Sequence, residues 1–137
     1  MAAEFSTASF KADVLESDIP VLVDFWSHGC PPCKRLAPVI DELASENEGQ
    51  AVVGKCNVGE NMELAAEYGI TAVPTILIFK GGESLSVYKA IKTSLNCRTS
   101  LKALLAAAVQ LSRSTHLLLR AAAAVAEANL LRALVNA

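Results

Sequence analysis

No basic field runs through this 137-residue sequence. Its 12 lysines and arginines stand against 14 aspartates and glutamates, a formal net charge of −2, and neither an acidic nor a basic tail is present. Such a balance offers no footing for nucleic acid. Also missing is any apolar run near the roughly 18 residues of a membrane span. The Ala/Leu-rich C-terminus comes nearest, and Gln110, Arg113, Arg120, Glu127 and Arg132 interrupt it. The opening MAAEFSTASFKADV lacks the basic n-region and apolar h-region of a secretory signal. The expected setting is therefore cytoplasmic, with neither a membrane nor a nucleic acid as partner. No internal repeat is visible, and proline does not recur after Pro74.

What is present suits one compact domain. Hydrophobic residues make up 53% and charged residues 19% of the chain, enough apolar material for a core and too much for disorder. The four cysteines are Cys30, Cys33, Cys56 and Cys97. In a cytoplasmic chain they are not expected to form a static disulfide framework. Two of them make a C-x-x-C, which reads either as a redox dithiol or as half of a zinc site. Zinc needs about four ligands at regular spacing. The remaining candidates, Cys56, Cys97, His28 and His116, are scattered, so the dithiol is preferred and no metal site is expected.

The pattern of elements alternates strand and helix. Residues 6 to 17 carry Phe10, Val14 and Leu15 on one helical face, with Ser6, Thr7 or Ser9 as a cap. Pro20 opens Val21-Leu22-Val23-Asp24-Phe25-Trp26, the continuous apolar run of a strand buried on both faces. Ser27 to Pro32 turns into a helix that has Pro31 at its first position and Leu36, Val39, Ile40 and Leu43 at helical spacing. Pro38 lies inside that helix and should kink it. Residues 51 to 56 form the next strand. Asn61 is placed to cap a short helix that Gly69 ends. Thr75 to Phe79 is another buried strand, Gly81-Gly82 a tight hairpin turn, and Leu85, Val87 and Ile91 mark a returning strand. This order predicts an α/β fold: a mixed sheet flanked by helices, with a right-handed first crossover and a site in the loops at the C-terminal ends of parallel strands.

Cys30 falls in such a loop, just before a helix. Unpaired N–H groups and the helix dipole favour a thiolate there. Cys33 lies within one helical turn of it. That arrangement suits a cycle in which Cys30 attacks a disulfide and Cys33 resolves the mixed disulfide; two inert buried thiols are the alternative. An acid inside VLVDFW is costly unless paired or protonated, and burial raises its pKa.

The stretch VLVDFWSHGCPPCKRLAPVIDELA resembles the active-site strand and helix of the thioredoxin family. VVGKCNVGENMELAAEYGITAVPTILIFKGGE resembles that family's Lys-containing strand, short helix, Val/Ile-Pro-Thr loop and hairpin. The likeness covers roughly residues 5 to 83. It implies a thioredoxin-like fold and a reductase of protein disulfides, with catalytic Cys30, Cys33, Asp24 and Lys55. It also implies substrate contacts at Trp26, Val73 and Pro74, the last as a cis-proline. Asp24 would handle the Cys33 proton, with Lys55 beside it; a satisfied Asp–Lys core pair is the alternative. The implied partners are disulfide-containing proteins and an upstream thiol reductase such as a thioredoxin reductase; no cofactor is called for. Two positions depart from the family pattern. Gly29 stands where a tryptophan is usual, which removes apolar contact surface, and Pro31 stands where a glycine would offer an N–H. His28, two residues before Cys30, reads either as a cation favouring the thiolate or as an exposed loop residue. Cys56 reads as a buried small apolar residue, and Cys97 as a bystander. An oxidant or isomerase, and a scaffold with idle cysteines, remain open.

After Glu83 the likeness ends. Residues from about Thr99 to Val135 are rich in Ala and Leu and are expected to form two helices or one bent helix, with a break near Ser112. The division expected is a thioredoxin-like domain over 1–111 and a helical extension over 112–137 packed on it. An apolar circumference needs a partner, so the protein is read as a monomer, or as a homodimer through those helices.

Overall fold

The apolar run after Pro20 is the middle strand of a five-stranded sheet in the computed structural model, which describes residues 1–89, 99, 101–111, 113, 114, 122 and 125. The strands are β1 (Ala3–Glu4), β2 (Val21–Trp26), β3 (Val52–Asn57), β4 (Thr75–Lys80) and β5 (Glu83–Lys89), in the spatial order β1-β3-β2-β4-β5. β1 and β2 run parallel to β3; β4 runs antiparallel to β2 and to β5. The expected mixed sheet is present, and β5 is its last strand among the described residues. Nothing in the sequence pattern announces β1, because two exposed residues are too few to show a period. Pairing with Gly54 and Lys55 makes them a strand. Gly54 is needed there, since a Cβ would overlap the Phe5 ring.

Side chains alternate across β2 and sort the core into two faces. Leu22 packs with Leu36, Ile40 and Leu43 of α1 (Pro31–Glu46) and with Leu101, Leu105, Ala108 and Val109 of α3 (101–111). Val21, Val23 and Phe25 pack on the other face with Phe5, Phe10, Val14, Leu77 and Phe79, and with Leu64 of α2 (Met62–Glu67). Asp24 has the parity of Leu22, so it belongs to the α1 face.

Local signals hold with three adjustments. Before β2 the helical stretch is shorter than expected, a single wide turn at Lys11–Leu15. Its cap position is Phe10, and no side chain caps it, so the expected cap at Ser6, Thr7 or Ser9 is not what the structure holds. Ser6 instead closes the turn before it: its carbonyl accepts the Phe10 N–H at 2.8 Å and its Oγ the Ser9 N–H at 3.3 Å. Asn61 occupies the cap position of α2, but its side chain does not cap the helix. Its Oδ1 accepts the Thr7 N–H at 2.7 Å, tying the chain's first loop to α2. α1 runs from Pro31 to Glu46 as one element with Pro38 inside it. α2 ends before Gly69, as expected. Gly81 and Gly82, at φ 60° and 83°, make the two-residue turn between Lys80 and Glu83. Ile91, Cys97, His116 and most of the residues beyond Ser114, on which the expectation of further helices falls, lie outside the described residues. Among the described residues, no helix is long and apolar enough to cross a membrane.

Candidate active site

β2 ends at Trp26, and the turn Ser27–Gly29 delivers Cys30 to the start of α1 as its N-cap residue. Pro31 and Pro32 have no N–H, so the first N–H that α1 offers is that of Cys33. It donates to Cys30 Sγ at 3.2 Å. The Cys30 sulfur thus receives both a hydrogen bond and the positive end of the helix dipole, the two influences that favour a thiolate once the pair is reduced. Cys30 and Cys33 are joined in a disulfide, with Cα atoms 5.2 Å apart. Both are nearly enclosed, 6% and 3% exposed.

Cys33 opens on a cavity of about 240 Å³ that Asp24, Trp26, Lys55, Glu4, Lys34 and Ala37 also line. Asp24 is 1% exposed, and among the described residues its Oδ1 has no hydrogen-bond partner. Burial pushes its carboxyl up to about 7, against the pull of the Lys55 charge. A carboxyl at that value both takes and returns a proton near neutral pH.

Lys55 stands opposite Asp24 in the β2–β3 register, yet its ion pair is elsewhere. Nζ lies 3.1 Å from Oδ1 of Asp41 on α1. A closed Asp24–Lys55 pair is therefore not what the structure holds. Asp41 also accepts the Ala2 N–H at 3.1 Å. Burial works upward on Asp41, but the Ala2 N–H and Lys55 together hold its carboxyl below the usual range. Sequence reasoning missed Asp41. Its signal is helical spacing: Cys33, Ala37 and Asp41 succeed one another at i, i+4 and i+8 on one stripe of α1.

The other candidates fall around this centre. Trp26 is half-buried and meets the His28 ring edge-on at 4.9 Å. His28 is exposed, with Nε2 3.9 Å from Glu60 Oε1. Its described contacts are with Trp26 and Glu60 rather than with the thiols, so it belongs to the rim. Gly29 is exposed with open space about it. The Val73–Pro74 peptide is cis. Thr75 pairs with Phe25, which puts Pro74 at the end of the sheet where β2 leads into the dithiol turn. Cys56 is fully buried on the opposite face, and burial pushes its thiol up to about 11. Among the described residues, no cluster of three or more His, Cys, Asp or Glu side chains is placed to hold a metal ion.

Comparison with known proteins agrees with this geometry. The thioredoxin family model matches residues 1–104, which carries the likeness past Glu83. Thioredoxin 1 of Nostoc sp. is 49% identical over 86 residues, covering 63% of this chain and 80% of the relative. The thioredoxin of Rickettsia felis is 53% identical over 83 residues, or 61% and 79% of the two chains. That of Rickettsia bellii is 43% identical over 101 residues, or 74% and 92%.

Proposed function

The chain belongs to the thioredoxin family and is a thiol–disulfide oxidoreductase, and from that premise we propose that it reduces protein disulfides with Cys30 as attacking thiol and Cys33 as resolving thiol. The observation that carries this reading is the Cys30–Cys33 bond at the helix start, with the buried Asp24 carboxyl on the cavity behind Cys33. In the reduced protein the Cys30 thiolate attacks one sulfur of a substrate disulfide. A Cys30–substrate bond forms, and the other substrate sulfur leaves as a thiolate and takes up a proton. Cys33 then gives its proton to Asp24 and attacks Cys30 Sγ. The Cys30–Cys33 bond forms, the bond to substrate breaks, and the second substrate sulfur leaves. Two electrons have passed to the substrate.

Asp24 serves as the base of the second step, and Lys55 tunes it. Trp26, Val73 and Pro74 form the surface that receives the substrate chain, with Val73 offering its backbone as an added strand would. A dithiol that ends each cycle oxidised needs an upstream thiol reductase such as a thioredoxin reductase. That makes the protein an electron carrier, and a reducing cytoplasm its workplace. A scaffold role with idle cysteines has no observation in its favour.

We further propose that residues 1–111 are the working domain and 112–137 an extension packed on it. Leu101, Leu105, Ala108 and Val109 are core residues already. A chain ending at Leu111 should keep its reductase activity but melt earlier; unchanged stability would sink the packing part.

Trapping tests the mechanism. Cys33→Ser should accumulate mixed disulfides with oxidised insulin or a cell extract, and Cys30→Ser should not. Equal trapping by both variants, or by neither, would remove the assignment.

A further inference from the structure

Two carboxylates face one ammonium group at the back of the active site. Lys55 lines the same cavity as Asp24 and Cys33, but its Nζ is 3.1 Å from Asp41 Oδ1. That oxygen also accepts the Ala2 N–H at 3.1 Å. Ala2 leads directly into β1, whose Glu4 pairs with Lys55. The Asp41 carboxylate is thus fixed from two sides, by the N-terminal backbone and by the lysine. Asp24 Oδ1, meanwhile, is buried and without a hydrogen-bond partner among the described residues.

We propose that Asp41 is a positioning residue for Asp24: it holds the Lys55 ammonium toward α1 and so prevents a closed Asp24–Lys55 pair. The proposal rests on Asp24 being the base for Cys33, and it extends that reading to a residue that adjusts the base's strength through Lys55. A carboxylate clamped by an ammonium group binds a proton weakly, because an opposite charge in contact lowers its pKa by about 1–3. It would then be a poor acceptor for the Cys33 proton, since a thiol parts with a proton only to a base of matching strength. Among the described residues, the ionisable groups that face Asp24 are few. β3 supplies Lys55, α1 supplies Lys34 and, once the disulfide is reduced, Cys33, and β1 supplies Glu4. The β4 neighbour is Ile76, which carries no charge. Lys34 is exposed, and Lys55 is the cation whose charge acts on Asp24. Burial is the larger influence on Asp24, and where the Lys55 head group sits adjusts how readily Asp24 exchanges a proton.

Asp41→Asn tests this, since it removes the charge but keeps an oxygen for the Ala2 N–H. The Asp41 side chain is 44% exposed, so the change is not expected to disturb the core. Asp24 is followed by carbon-13 NMR of its carboxyl, and the release step by stopped-flow across pH. In Asp41→Asn, Asp24 should titrate about one pH unit lower, and the acid limb of the release rate should move down with it. Asp41→Glu, which restores the charge, should return both toward the original values. With Lys55→Gln already in place, Asp41→Asn should have no further effect on Asp24. An unmoved Asp24 titration in Asp41→Asn overturns the proposal. So does an equal shift in the Lys55→Gln background, because the effect would not pass through Lys55. If Asp24 shifts while the release profile does not, the positioning stands and Asp24's role as base is what fails.

Discussion

The two faces of the sheet are built from different materials and do different work. One is aliphatic: Leu22, Val53, Ile76 and Ile78 lie under α1 and α3. The other is aromatic, where Phe10 meets Phe79 edge-on with ring centroids 5.4 Å apart and Tyr68 tilted at the same distance. The acid and the lysine of the site are on the first face. Asp24 shares the parity of Leu22, and Lys55 that of Val53, so both point toward the helix that carries Cys30 and Cys33. The second face holds a thiol of its own, that of Cys56, and encloses it completely. A single strand, β2, thus holds structural residues at odd positions through Phe25 and its functional acid at an even one. A one-residue slip in the β2–β3 register would exchange the two sets.

That contrast breaks most visibly at Phe10. Its ring is 2% exposed and touches Phe5, Tyr68 and Phe79. Phe10→Ala should cost about 3–5 kcal/mol of stability, read as a large fall in the urea midpoint. Under conditions where the variant remains folded, its rate of insulin reduction should be unchanged. A tenfold loss of rate in the folded variant would mean that the faces are coupled and the division fails.

Asp24→Asn probes the other face and should give the opposite pattern. Loss of the base should slow release of substrate from the mixed disulfide by about 10²-fold or more, with initial attack by Cys30 little changed. Stability should rise. The folded protein binds the Asp24 proton up to about pH 7, while the unfolded chain releases it near 3.8. Between those values the folded state holds more protons, so wild-type stability falls as pH rises, then levels off above 7. Asparagine has no such dependence. The variant should therefore gain a few kcal/mol relative to wild type above pH 7, and the difference should vanish near pH 4. A stability gap that is flat across this range would mean that Asp24 is not held protonated by burial.

Much of the first face is legible in the sequence, because its signals are local. The run VLVDFW shows the buried strand with an acid in it, Pro31 marks the helix start, and the C-x-x-C spacing puts both sulfurs in one turn. The resemblance to a family adds Lys55 and Pro74, which local reasoning alone leaves unconnected to the cysteines. What the sequence hides is the partner of Lys55. Residues 41 and 55 meet only because α1 folds back over β3, and Ala2 joins them only because a two-residue strand pairs at the sheet edge. The cap reading at Asn61 misses for a similar reason: a long-range acceptor role toward Thr7 outcompetes the local one. Helical spacing puts Asp41 on the Cys33 stripe of α1, but periodicity along one element does not say which residue of another element it meets.

The smallest effect is expected at Cys56, and it sharpens the comparison most finely. Cys56 sits on β3 between Lys55 and Asn57, one residue from the active-site face. Strand alternation nevertheless turns its thiol away from the dithiol and into the aromatic core. Burial pushes that thiol up to about 11, so at pH 7 only about one molecule in ten thousand would carry the thiolate, the form that attacks disulfides. Position and ionisation therefore both silence it. Cys56→Ala should cost about 1 kcal/mol for the lost sulfur and leave insulin reduction, the dithiol potential and the Cys33→Ser trapping pattern where they are. In the reduced wild-type protein, Cys56 should react with iodoacetamide only as fast as the core opens, and so in step with the urea dependence of unfolding. Fast alkylation of Cys56 in the folded protein, or a changed trapping pattern in Cys56→Ala, would show that the thiol reaches the active-site face and that one strand does not separate the two after all.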